Sequence, residues 1–309
     1  MNESRIQRVI GIDAGGTRTR ARLAEAATGR TLGEGTGGPG NALSVPADAL
    51  VRHLAEALRG ALSGSPPPGG AGAVAAVVAG FAGGGPGGGG ERAEGALAAA
   101  LAEVGAGPAR TEVRGDAEVA FAAGPGAPAD GLVLIAGTGA AGARVADRRL
   151  VCAVDGDGWL LGDAGSGFWL GREALRAVLR ALDGRGPRTA LAAPVAELCG
   201  GLSKERVVGF AYAAHPVRLA GLSPLVVAAA GAGDAVAGRL LDRAADELAA
   251  TVGALEPRPG EPLVVTGGLL APGGPLLPRL ADRVRASGLV PSSVPDGLAG
   301  AVSLARLPA

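Results

Sequence analysis

The first 35 residues alternate apolar and polar positions in a pattern that predicts three consecutive strands. The apolar run Arg8–Asp13 predicts a buried strand that ends at a carboxylate. In Thr17–Glu25 threonine and apolar side chains share one face and arginines the other, which is typical of a half-exposed strand. A turn at Thr28–Arg30 and a third strand at Thr31–Gly35 follow. We therefore expect an antiparallel meander without an early β-α-β unit.

Helical and strand-like patterns alternate in the next part of the chain. Leu50, Leu54 and Leu58 recur at helical spacing within Pro46–Leu62, and the proline lies near the start, so this segment predicts a helix. Further predicted elements are a strand at Ala73–Phe81, a helix at Arg92–Val104, a strand at Arg110–Arg114 and a helix at Ala117–Ala123. Breaker-rich residues at Ser63–Gly72 and Gly83–Gly90 predict a linker and a loop.

The composition of Gly124–Ala129 marks a boundary, after which the opening pattern repeats. Strands are predicted at Gly131–Ala136, Ala140–Ala146 and Leu150–Val154, with a glycine–threonine turn after the first of them. This order matches the amino-terminal strands, so we interpret it as a distant internal duplication. The remaining predicted elements are helices at Gly171–Leu182, Ala190–Cys199, Ser203–Ala213, Leu225–Ala230 and Asp234–Ala254, a strand at Pro262–Thr266 and a last helix at Gly297–Leu307.

Composition excludes several classes of protein. The 309 residues are 48% hydrophobic and hold 29 basic and 29 acidic side chains, so no basic field is present to attract nucleic acid or an acidic membrane. The two cysteines, Cys152 and Cys199, form no CxxC pair and suggest neither a disulfide framework nor a zinc site. The start lacks the apolar core of a signal peptide, and no apolar run approaches the ~20 residues of a spanning helix. We expect a cytoplasmic protein.

Two glycine turns carry the candidate chemistry. Asp13-Ala14-Gly15-Gly16-Thr17 and Ala136-Gly137-Thr138-Gly139 each follow a predicted buried strand and contain a threonine. Backbone amides at a glycine turn form an anion-binding nest, and a threonine hydroxyl adds a donor. Glycine turns are also ordinary hairpin connections. The occurrence of two in matching positions, one led by Asp13, nevertheless favours a polyphosphate site with a metal ion held by Asp13 through water.

Other nucleotide and hydrolase motifs fit less well. Gly137–Gly142 matches G-x-G-x-x-G, and Asp155 and Asp157 lie near the offset of a ribose-binding carboxylate, but the following residues predict a hairpin where a dinucleotide site needs a helix. The single lysine, Lys204, is not in a P-loop or on a strand. A catalytic triad would need His53 or His215, for which we predict a helix surface and a loop, and Ser166 misses the nucleophile-elbow pattern.

Taken in order, nine segments resemble the actin-like superfamily of sugar kinases and Hsp70 ATPases, and more narrowly the family that joins N-acetylglucosamine kinases to BadF/BadG-type ATPases. They are GIDAGGTRTRARL, GGPGNAL, VVAGFAG, VRGDAEVAFAAG, GLVLIAGTGAAG, GDGWLLGDAGSGFWLGREAL, DGRGPRTAL, AAGAGDAVA and LVVTGGLL. The resemblance implies an α/β fold with two ribonuclease-H-like domains flanking a cleft. We assign residues 1–123 to the first domain, together with the last helix at 297–309, and residues 124–296 to the second.

The resemblance also implies a role for individual positions. Asp116 matches the catalytic base, and Asp13 matches the residue that holds Mg²⁺ through water. Gly15, Gly16 and Thr17 match the first phosphate motif, and Gly137, Thr138 and Gly139 match the second. Thr266, Gly267 and Gly268 match the adenosine motif, with Gly233 a weaker match on the nucleotide side. The sugar-binding positions correspond to Asn41, Asp116, Ala140, Gly156, Asp157, Gly158 and Asp163.

These matches predict a Mg²⁺- and ATP-dependent kinase that phosphorylates the 6-hydroxyl of an amino sugar, most simply N-acetylglucosamine. The resemblance also implies a homodimer. A carboxylate at a strand end can accept the proton of the attacking hydroxyl. Local alternatives are that Asp116 is the N-cap of the following helix and that Asp163 is a turn residue.

The chain departs from the family pattern at three positions. Ala164 stands where the family has glutamate, Asp157 where it has an aromatic residue and Asp155 where it has glycine. Added carboxylates would suit a free amine, so a glucosamine kinase stays open. A further alternative is an ATP-driven electron-transfer activator, in which Cys152 and Cys199 would hold an iron–sulfur cluster between two subunits. We expect both cysteines to be core residues instead. A degenerate sugar-binding protein is the last alternative.

Overall fold

The computed structural model describes residues 7–63, 74–84, 89–108, 110–213 and 216–308. Residues 64–72 of the predicted linker, residues 85–88 of the predicted loop, and His215 lie outside the described residues. The described chain is a mixed α/β protein with two five-stranded sheets. This architecture confirms the fold class that the sequence predicts.

Strands and helices follow the predicted order closely. The strands are β1 (Arg8–Ala14), β2 (Thr19–Glu25), β3 (Thr31–Gly37), β4 (Val74–Phe81), β5 (Arg110–Gly115), β6 (Gly131–Ala136), β7 (Ala140–Ala146), β8 (Arg149–Asp155), β9 (Leu263–Thr266) and β10 (Pro291–Ser293). The helices are α1 (Ala47–Leu62), α2 (Gly89–Glu103), α3 (Asp116–Ala122), α4 (Gly158–Leu161), α5 (Gly167–Leu182), α6 (Ala192–Cys199), α7 (Lys204–Tyr212), α8 (Ser223–Gly231), α9 (Ala235–Ala254), α10 (Leu277–Val284) and α11 (Leu298–Ala305). Short 3₁₀ segments occupy Pro216–Leu222 and Arg285–Ser287.

The first sheet has the order β3-β2-β1-β4-β5. β1 pairs antiparallel with β2, and β2 with β3, which confirms the predicted meander. β4 pairs in parallel with both β1 and β5. β1 is central and every one of its residues is buried, as expected for a strand covered on both faces. The carboxyl ends of the three parallel strands therefore meet at one edge of the sheet.

Helices α1 and α2 cover one face of this sheet. Leu50, Leu54 and Leu58 of α1 are fully buried in the core, as their spacing predicts. The edge strand β3 carries glycine at alternate positions that face α1. A Cβ atom at Gly35 would lie 2.1 Å from the carbonyl oxygen of Ala57, and one at Gly37 would lie 2.1 Å from that of His53. The helix backbone can approach the strand this closely only because those side chains are absent.

Helices α3 and α11 cover the other face, where the contact again depends on glycine. A Cβ atom at Gly300 of α11 would lie 1.9 Å from the carbonyl oxygen of Val119 on α3. One at Gly11 of β1 would lie 2.5 Å from the backbone nitrogen of Val302. The buried residues of this layer are Val9, Ala24, Ala76, Val78, Val119, Ala122, Ala301, Val302, Leu304 and Ala305. The carboxyl-terminal helix is thus packed against the central strand by backbone-to-backbone approach.

The second sheet has the order β10-β9-β6-β7-β8, with β9 and β10 parallel. Side-chain caps define the two main helices that follow its hairpin strands. The Ser166 hydroxyl accepts a hydrogen bond from the Trp169 N–H at the start of α5. The Asp234 carboxylate accepts one from the Ala237 N–H at the start of α9. α9 then buries an apolar stripe that includes Leu241 and Leu248.

The chain divides into two compact units. The first unit is Met1–Val133, Val145–Leu150 and Asp296–Ala309, and the second is Leu134–Arg144 and Val151–Pro295. The domain boundary that the sequence suggests near residue 124 stays a prediction. Among described residues no single helix has both the length and the hydropathy to cross a membrane. The required length and hydropathy are met only by two segments taken together, Val217–Gly231 and Ala235–Ala254, with a bend of 120° between them.

Several sequence expectations need correction. Helix α5 begins at Gly167, four residues before the predicted start, because Ser166 provides the cap. The short elements α4, α10, β10 and the 3₁₀ segments are not predicted, since segments of this length carry too little periodicity. Cys152, predicted to be a core residue, is exposed because β8 is an edge strand, and Cys199 is partly buried at the end of α6.

The glycine contact of α11 yields a prediction about stability. Gly300→Ala would place a methyl group against backbone atoms of α3 that cannot move aside singly, so we expect a loss of roughly 1–3 kcal/mol in the free energy of unfolding. Gly95→Ala, within α2, is the matched control because its new Cβ would meet nothing within 4 Å. That variant should be neutral or up to about 1 kcal/mol more stable. Urea unfolding of both variants measures the difference; equal midpoints would contradict the packing argument.

Candidate active site

Asp13, at the carboxyl end of β1, is a buried carboxylate held by an arginine from the neighbouring strand. Asp13 and Arg20 are directly opposite each other in the antiparallel pair β1–β2, which places their side chains on one face. The Arg20 guanidinium donates to Asp13 Oδ2 at 3.0 Å and to Asp296 Oδ2 at 2.6 Å. The Gly297 N–H donates to the same Asp13 oxygen at 3.3 Å. Arg20 therefore connects β1 to the start of α11.

Burial dominates the electrostatics of Asp13. Desolvation raises the pKa of its carboxyl; Arg20 and the Gly297 N–H oppose that shift, and the charge of Asp296 adds to it. Both hydrogen bonds fall on Oδ2, and no described residue donates to Oδ1. An oxygen of this kind can receive a water molecule of a hydrated cation.

The donor set fits Mg²⁺ rather than a metal that needs a full protein cage. Among the residues that the structure describes, no group of three or more His, Cys, Asp or Glu side chains could hold a metal ion. Mg²⁺ usually keeps several waters and binds through one or two carboxylates plus substrate phosphates. One buried carboxylate with a free oxygen meets that requirement.

Asp116 lies at the junction of β5 and α3, at the same sheet edge as Asp13. It is the first residue of α3, and Gly115 is the N-cap, so the alternative that Asp116 itself is the N-cap is wrong by one position. The Glu118 carboxylate accepts the Gly115 N–H at 2.9 Å and satisfies that helix end. Apart from its own N–H, the one described backbone group that donates to the Asp116 carboxylate is that of Ala117, at 2.9 Å from Oδ1. The Asp116 carboxyl group is thus left available for a ligand.

The surroundings of Asp116 make it a stronger base than an ordinary aspartate. Desolvation by the surrounding protein and then the negative charge of Asp13 raise the pKa of Asp116 to about 6. Two backbone N–H groups lower it by less. A carboxylate with this pKa is ionised at neutral pH and accepts a proton more readily than one with an ordinary pKa near 4.

The first glycine turn lies beside these carboxylates and is open. The Gly15 N–H donates to the Arg18 carbonyl at 3.0 Å, which closes the turn, and Gly16 and Thr17 are exposed. Asn41 follows on a nearby loop, where its Oδ1 accepts the N–H groups of Leu43 and Ser44 at 2.9 and 3.0 Å. This side chain therefore fixes its own loop through the oxygen, and its amide nitrogen has no partner among the described residues.

The second glycine turn is attached to the start of α5. The Gly167 N–H donates to the Gly137 carbonyl at 2.8 Å, and the Phe168 N–H donates to the Thr138 carbonyl at 3.1 Å. Strand β7 begins directly after the turn, at Ala140. The dinucleotide-binding interpretation of Gly137–Gly142 is therefore excluded, because no helix follows the glycines.

Asp163 supports this second turn from the side. Its Oδ1 accepts the Ala140 N–H at 3.0 Å, and a Cβ atom at Gly139 would lie 2.5 Å from that oxygen. Desolvation raises the pKa of Asp163, and the charges of Asp155 and Asp157 raise it further. Asp163 is therefore more than the turn residue of the alternative interpretation, because its carboxylate reaches the phosphate-motif hairpin.

Asp155, one of the three departures from the family pattern, has a structural contact. Its backbone is left-handed, with φ of 62°, and its carboxylate accepts three backbone N–H groups. Oδ1 accepts those of Gly156 and Asp163, both at 2.7 Å, and Oδ2 accepts that of Ala164 at 2.9 Å. Asp155 thus holds the loop that carries Asp163. Asp157, in contrast, is exposed and caps no backbone group of α4.

The adenosine-motif residues follow β9. Thr266 is buried at the strand end, and Gly268 is exposed. Gly267 has φ of 96°, and a Cβ atom there would lie 2.3 Å from the carbonyl oxygen of Ala136, immediately before the second phosphate turn. Gly233, with φ of 88°, precedes Asp234, the N-cap of α9. Within the second unit, the structure therefore brings Gly267 to the second turn, whereas Gly233 has no described contact with that turn.

Sequence reasoning missed three residues of the first unit. The alternation of β2 predicts Arg20 on the exposed face of its strand, but only 21% of its side-chain surface is exposed. No motif in the sequence indicates that Asp296 and the Gly297 N–H belong to the site. The strand register would have indicated Arg20, because it lies opposite Asp13. Nothing local indicates Asp296, which reaches Arg20 from 276 residues away.

The geometry defines a two-sheet α/β protein with phosphate-type turns, and comparison with known proteins agrees. Residues 10–282 match the BadF/BadG/BcrA/BcrD ATPase family, so the chain belongs to this family. An N-acetyl-D-glucosamine kinase of Dictyostelium discoideum is 32% identical over 181 residues, 56% of this chain and 57% of that protein. An N-acetylmuramic acid/N-acetylglucosamine kinase of Clostridium acetobutylicum is 32% identical over 142 residues, 45% of this chain and 46% of that protein. The chain thus spans about half the length of these curated relatives.

Solved structures extend the likeness over almost the whole chain. A candidate N-acetylglucosamine kinase from Chromobacterium violaceum is 28% identical, with a TM-score of 0.74, and the match covers 97% of this chain and 99% of that chain. A second, from Porphyromonas gingivalis, has a TM-score of 0.77 at 24% identity, covers 96% and 98%, and supports the fold alone.

The Asp155 contacts yield a prediction about the loop at residues 156–164. Asp155→Asn keeps the shape and the tolerance for left-handed backbone but removes the charge and one acceptor oxygen. We expect backbone N–H exchange at Asp163 and Ala164 to accelerate by about tenfold or more, since charge-assisted bonds contribute about 1.5–3 kcal/mol. Asp157→Asn removes the same charge from the same loop without such a contact and is the control. Equal exchange in the two variants would show that Asp155 does not hold the loop.

Proposed function

We propose that this chain is an ATP-dependent amino-sugar kinase that transfers the γ-phosphoryl group of ATP to the 6-hydroxyl of N-acetylglucosamine. The observation that carries the proposal is Asp116, a carboxylate with a pKa of about 6 at the end of β5, beside a buried Asp13 with one free oxygen. The kinase names of the curated relatives and of the C. violaceum protein support it.

Asp116 would act as the general base. Phosphoryl transfer depends mostly on positioning and charge neutralisation, and a base contributes by accepting the proton of the attacking hydroxyl. Asp116 would hold the 6-hydroxyl through its carboxylate and take up the proton as the new P–O bond forms, while ADP leaves. The nearby Asp13 charge raises the proton affinity of Asp116, so the pair is arranged for this step.

The remaining assignments follow the contacts of each unit. Asp13 would hold Mg²⁺ through water, and when bound the ion neutralises charge on the triphosphate. Gly15, Gly16 and Thr17 in the first unit, and Gly137, Thr138 and Gly139 in the second, would form the phosphate turns. The N–H groups of Gly15 and Gly137 close these turns, and donors of the other four residues would bind phosphate oxygens. Thr266, Gly267, Gly268 and Gly233 would contact adenosine. Asn41, Ala140, Gly156, Asp157, Gly158 and Asp163 would contact the sugar.

A glucosamine kinase is the second candidate, and Asp157 favours it. Its exposed carboxylate caps no backbone group and raises the pKa of Asp163. A cationic amine would relieve that repulsion, whereas an acetylated amine would not. Asp155 adds to the same negative charge, although its oxygens are engaged by the loop backbone.

Sugar-dependent ADP release tests the proposal and separates the two candidates. A coupled assay with Mg-ATP would compare N-acetylglucosamine, glucosamine, glucose, N-acetylmannosamine and no sugar. We expect the highest kcat/KM with N-acetylglucosamine. A preference for glucosamine that Asp157→Asn abolishes would select the second candidate. ATP hydrolysis that no sugar stimulates would contradict both.

The Asp116→Asn variant tests the base. We expect kcat to fall by about 10²–10⁴-fold while the dissociation constant for ATP stays unchanged, since the amide keeps the shape but accepts no proton. Asp48→Asn, which removes an exposed carboxylate of α1, is the control and should retain full activity. Substantial turnover by Asp116→Asn would refute the role of Asp116.

The raised pKa of Asp116 predicts the pH dependence of the reaction. The base acts in its ionised form, so kcat/KM should be level above the pKa and fall as pH drops below about 6. The slope should be about tenfold per pH unit, and steeper once Asp13 also takes up a proton. A profile that breaks near pH 4, where an ordinary aspartate titrates, would contradict the effect of burial and of Asp13.

A further inference from the structure

A cavity of about 660 Å³ lies within the second unit, between the later turns of α5, the loop that follows it and the first half of α9. Its charged lining consists of five arginines and one glutamate: Glu173, Arg176, Arg180, Arg185, Arg239 and Arg243. The other lining residues are apolar or glycine. None of the residues assigned above to ATP or sugar lines this cavity.

Helical spacing places the arginines on facing stripes. Arg176 and Arg180 are four residues apart on α5, and so are Arg239 and Arg243 on α9, so each pair covers one face of its helix. Like charges at this spacing destabilise a helix slightly. All four side chains are exposed, so water screens part of their repulsion, and nearby acids or a bound anion would relieve the rest.

The nearby acids offset only part of this charge. Glu173, on the buried floor, accepts from Arg176 at 2.9 Å and lies 3.6 Å from Arg243, so it fixes two guanidinium groups in place. Asp183 pairs with Arg185 at 2.7 Å. Within the described residues, Arg180 donates only to the Arg185 carbonyl, at 3.0 Å. Arg239 has neither an ion pair nor a hydrogen bond among the described residues.

The excess is local, because the chain as a whole is neutral. Two acids of α9, Asp242 and Asp246, pair with Arg279 and Arg283 of α10, at 3.0 and 2.5 Å. A third acid, Glu247, lies four residues after Arg243 on the same helix. The two aspartates are thus directed to α10, whereas Arg239 and Arg243 line the cavity. Two arginines that line the cavity, Arg180 of α5 and Arg239 of α9, have no ion pair with an acid in the described part of the chain.

We propose that this cavity binds a small phosphorylated metabolite, with its phosphate on Arg180 and Arg239. The planar guanidinium fork matches phosphate oxygens in a bidentate manner, and it is the usual choice for phosphate recognition. A volume of 660 Å³ lies within the ~300–1,000 Å³ range of small-molecule sites and exceeds the need of a bare phosphate ion. The apolar side chains of Ala177, Val236 and Leu240 would contact the organic part.

Isothermal titration with glycerol 3-phosphate tests the site, with glycerol and inorganic phosphate as further arms and no nucleotide present. A phosphorylated hexose is avoided because it could enter the proposed active site as a product. We expect glycerol 3-phosphate to bind more tightly than inorganic phosphate, and glycerol not to bind. Arg180→Ala and Arg239→Ala should each weaken binding by about tenfold, the loss expected for one charged hydrogen-bonding partner.

Arg285→Ala is the matched control, because Arg285 is an exposed arginine of the same unit that pairs with Asp282 away from the cavity. It should bind glycerol 3-phosphate as the wild type does. Binding unchanged in Arg180→Ala and Arg239→Ala would overturn the proposal, as would the absence of binding to the wild type. Equal affinity for inorganic phosphate and glycerol 3-phosphate would contradict the claim that the apolar side chains bind the organic part of the ligand. Binding of a heparin fragment without binding of glycerol 3-phosphate would show a surface for polyanions and would overturn the small-molecule site.

Discussion

The charge on Asp13 raises the proton affinity of Asp116, and the fold must keep Asp13 ionised for that to happen. Burial alone opposes ionisation, because a carboxylate removed from water loses its hydration. Arg20 and the Gly297 N–H supply the compensation, and they come from β2 and from the start of α11. The raised pKa of Asp116 in the first unit therefore depends on an arginine one strand away from Asp13 and on an N–H group near the carboxyl end of the chain.

That dependence explains why glycine dominates the packing of α11. The helix must bring Gly297 within hydrogen-bond distance of Asp13, and a Cβ atom there would lie 2.7 Å from Val119 and 3.4 Å from Asp13 Oδ1. Gly11 and Gly300 permit the same close approach further along the helix. A larger side chain at any of these positions would displace the N–H group and Asp296 together. The close packing of α11 against β1 and α3 thus also determines the electrostatic environment of Asp13.

The sequence predicts the elements of the fold well wherever periodicity is strong. The strands of the meander, helices α1 and α9 and the two glycine turns follow from alternation, from leucine spacing and from breakers. Prediction from the sequence fails where a residue's burial or contacts depend on residues outside the local pattern. The exposure of Cys152 depends on β8 being an edge strand, and the partial burial of Arg20 depends on Asp296, which local pattern does not show. The Asp155 contacts likewise depend on a loop that returns eight residues later.

The two glycine turns show how similar local patterns can serve different chemistry. In the first unit the strand before the turn ends in Asp13, so the carboxylate belongs to the hairpin and its free oxygen can face a hydrated cation. In the second the equivalent strand ends in Ala136, and the carboxylate comes from Asp163, whose Oδ1 is used on the Ala140 N–H. The second turn instead gives its carbonyls to α5. The first turn therefore carries its own carboxylate, whereas the second is held by α5 and by Asp163, whose loop Asp155 binds.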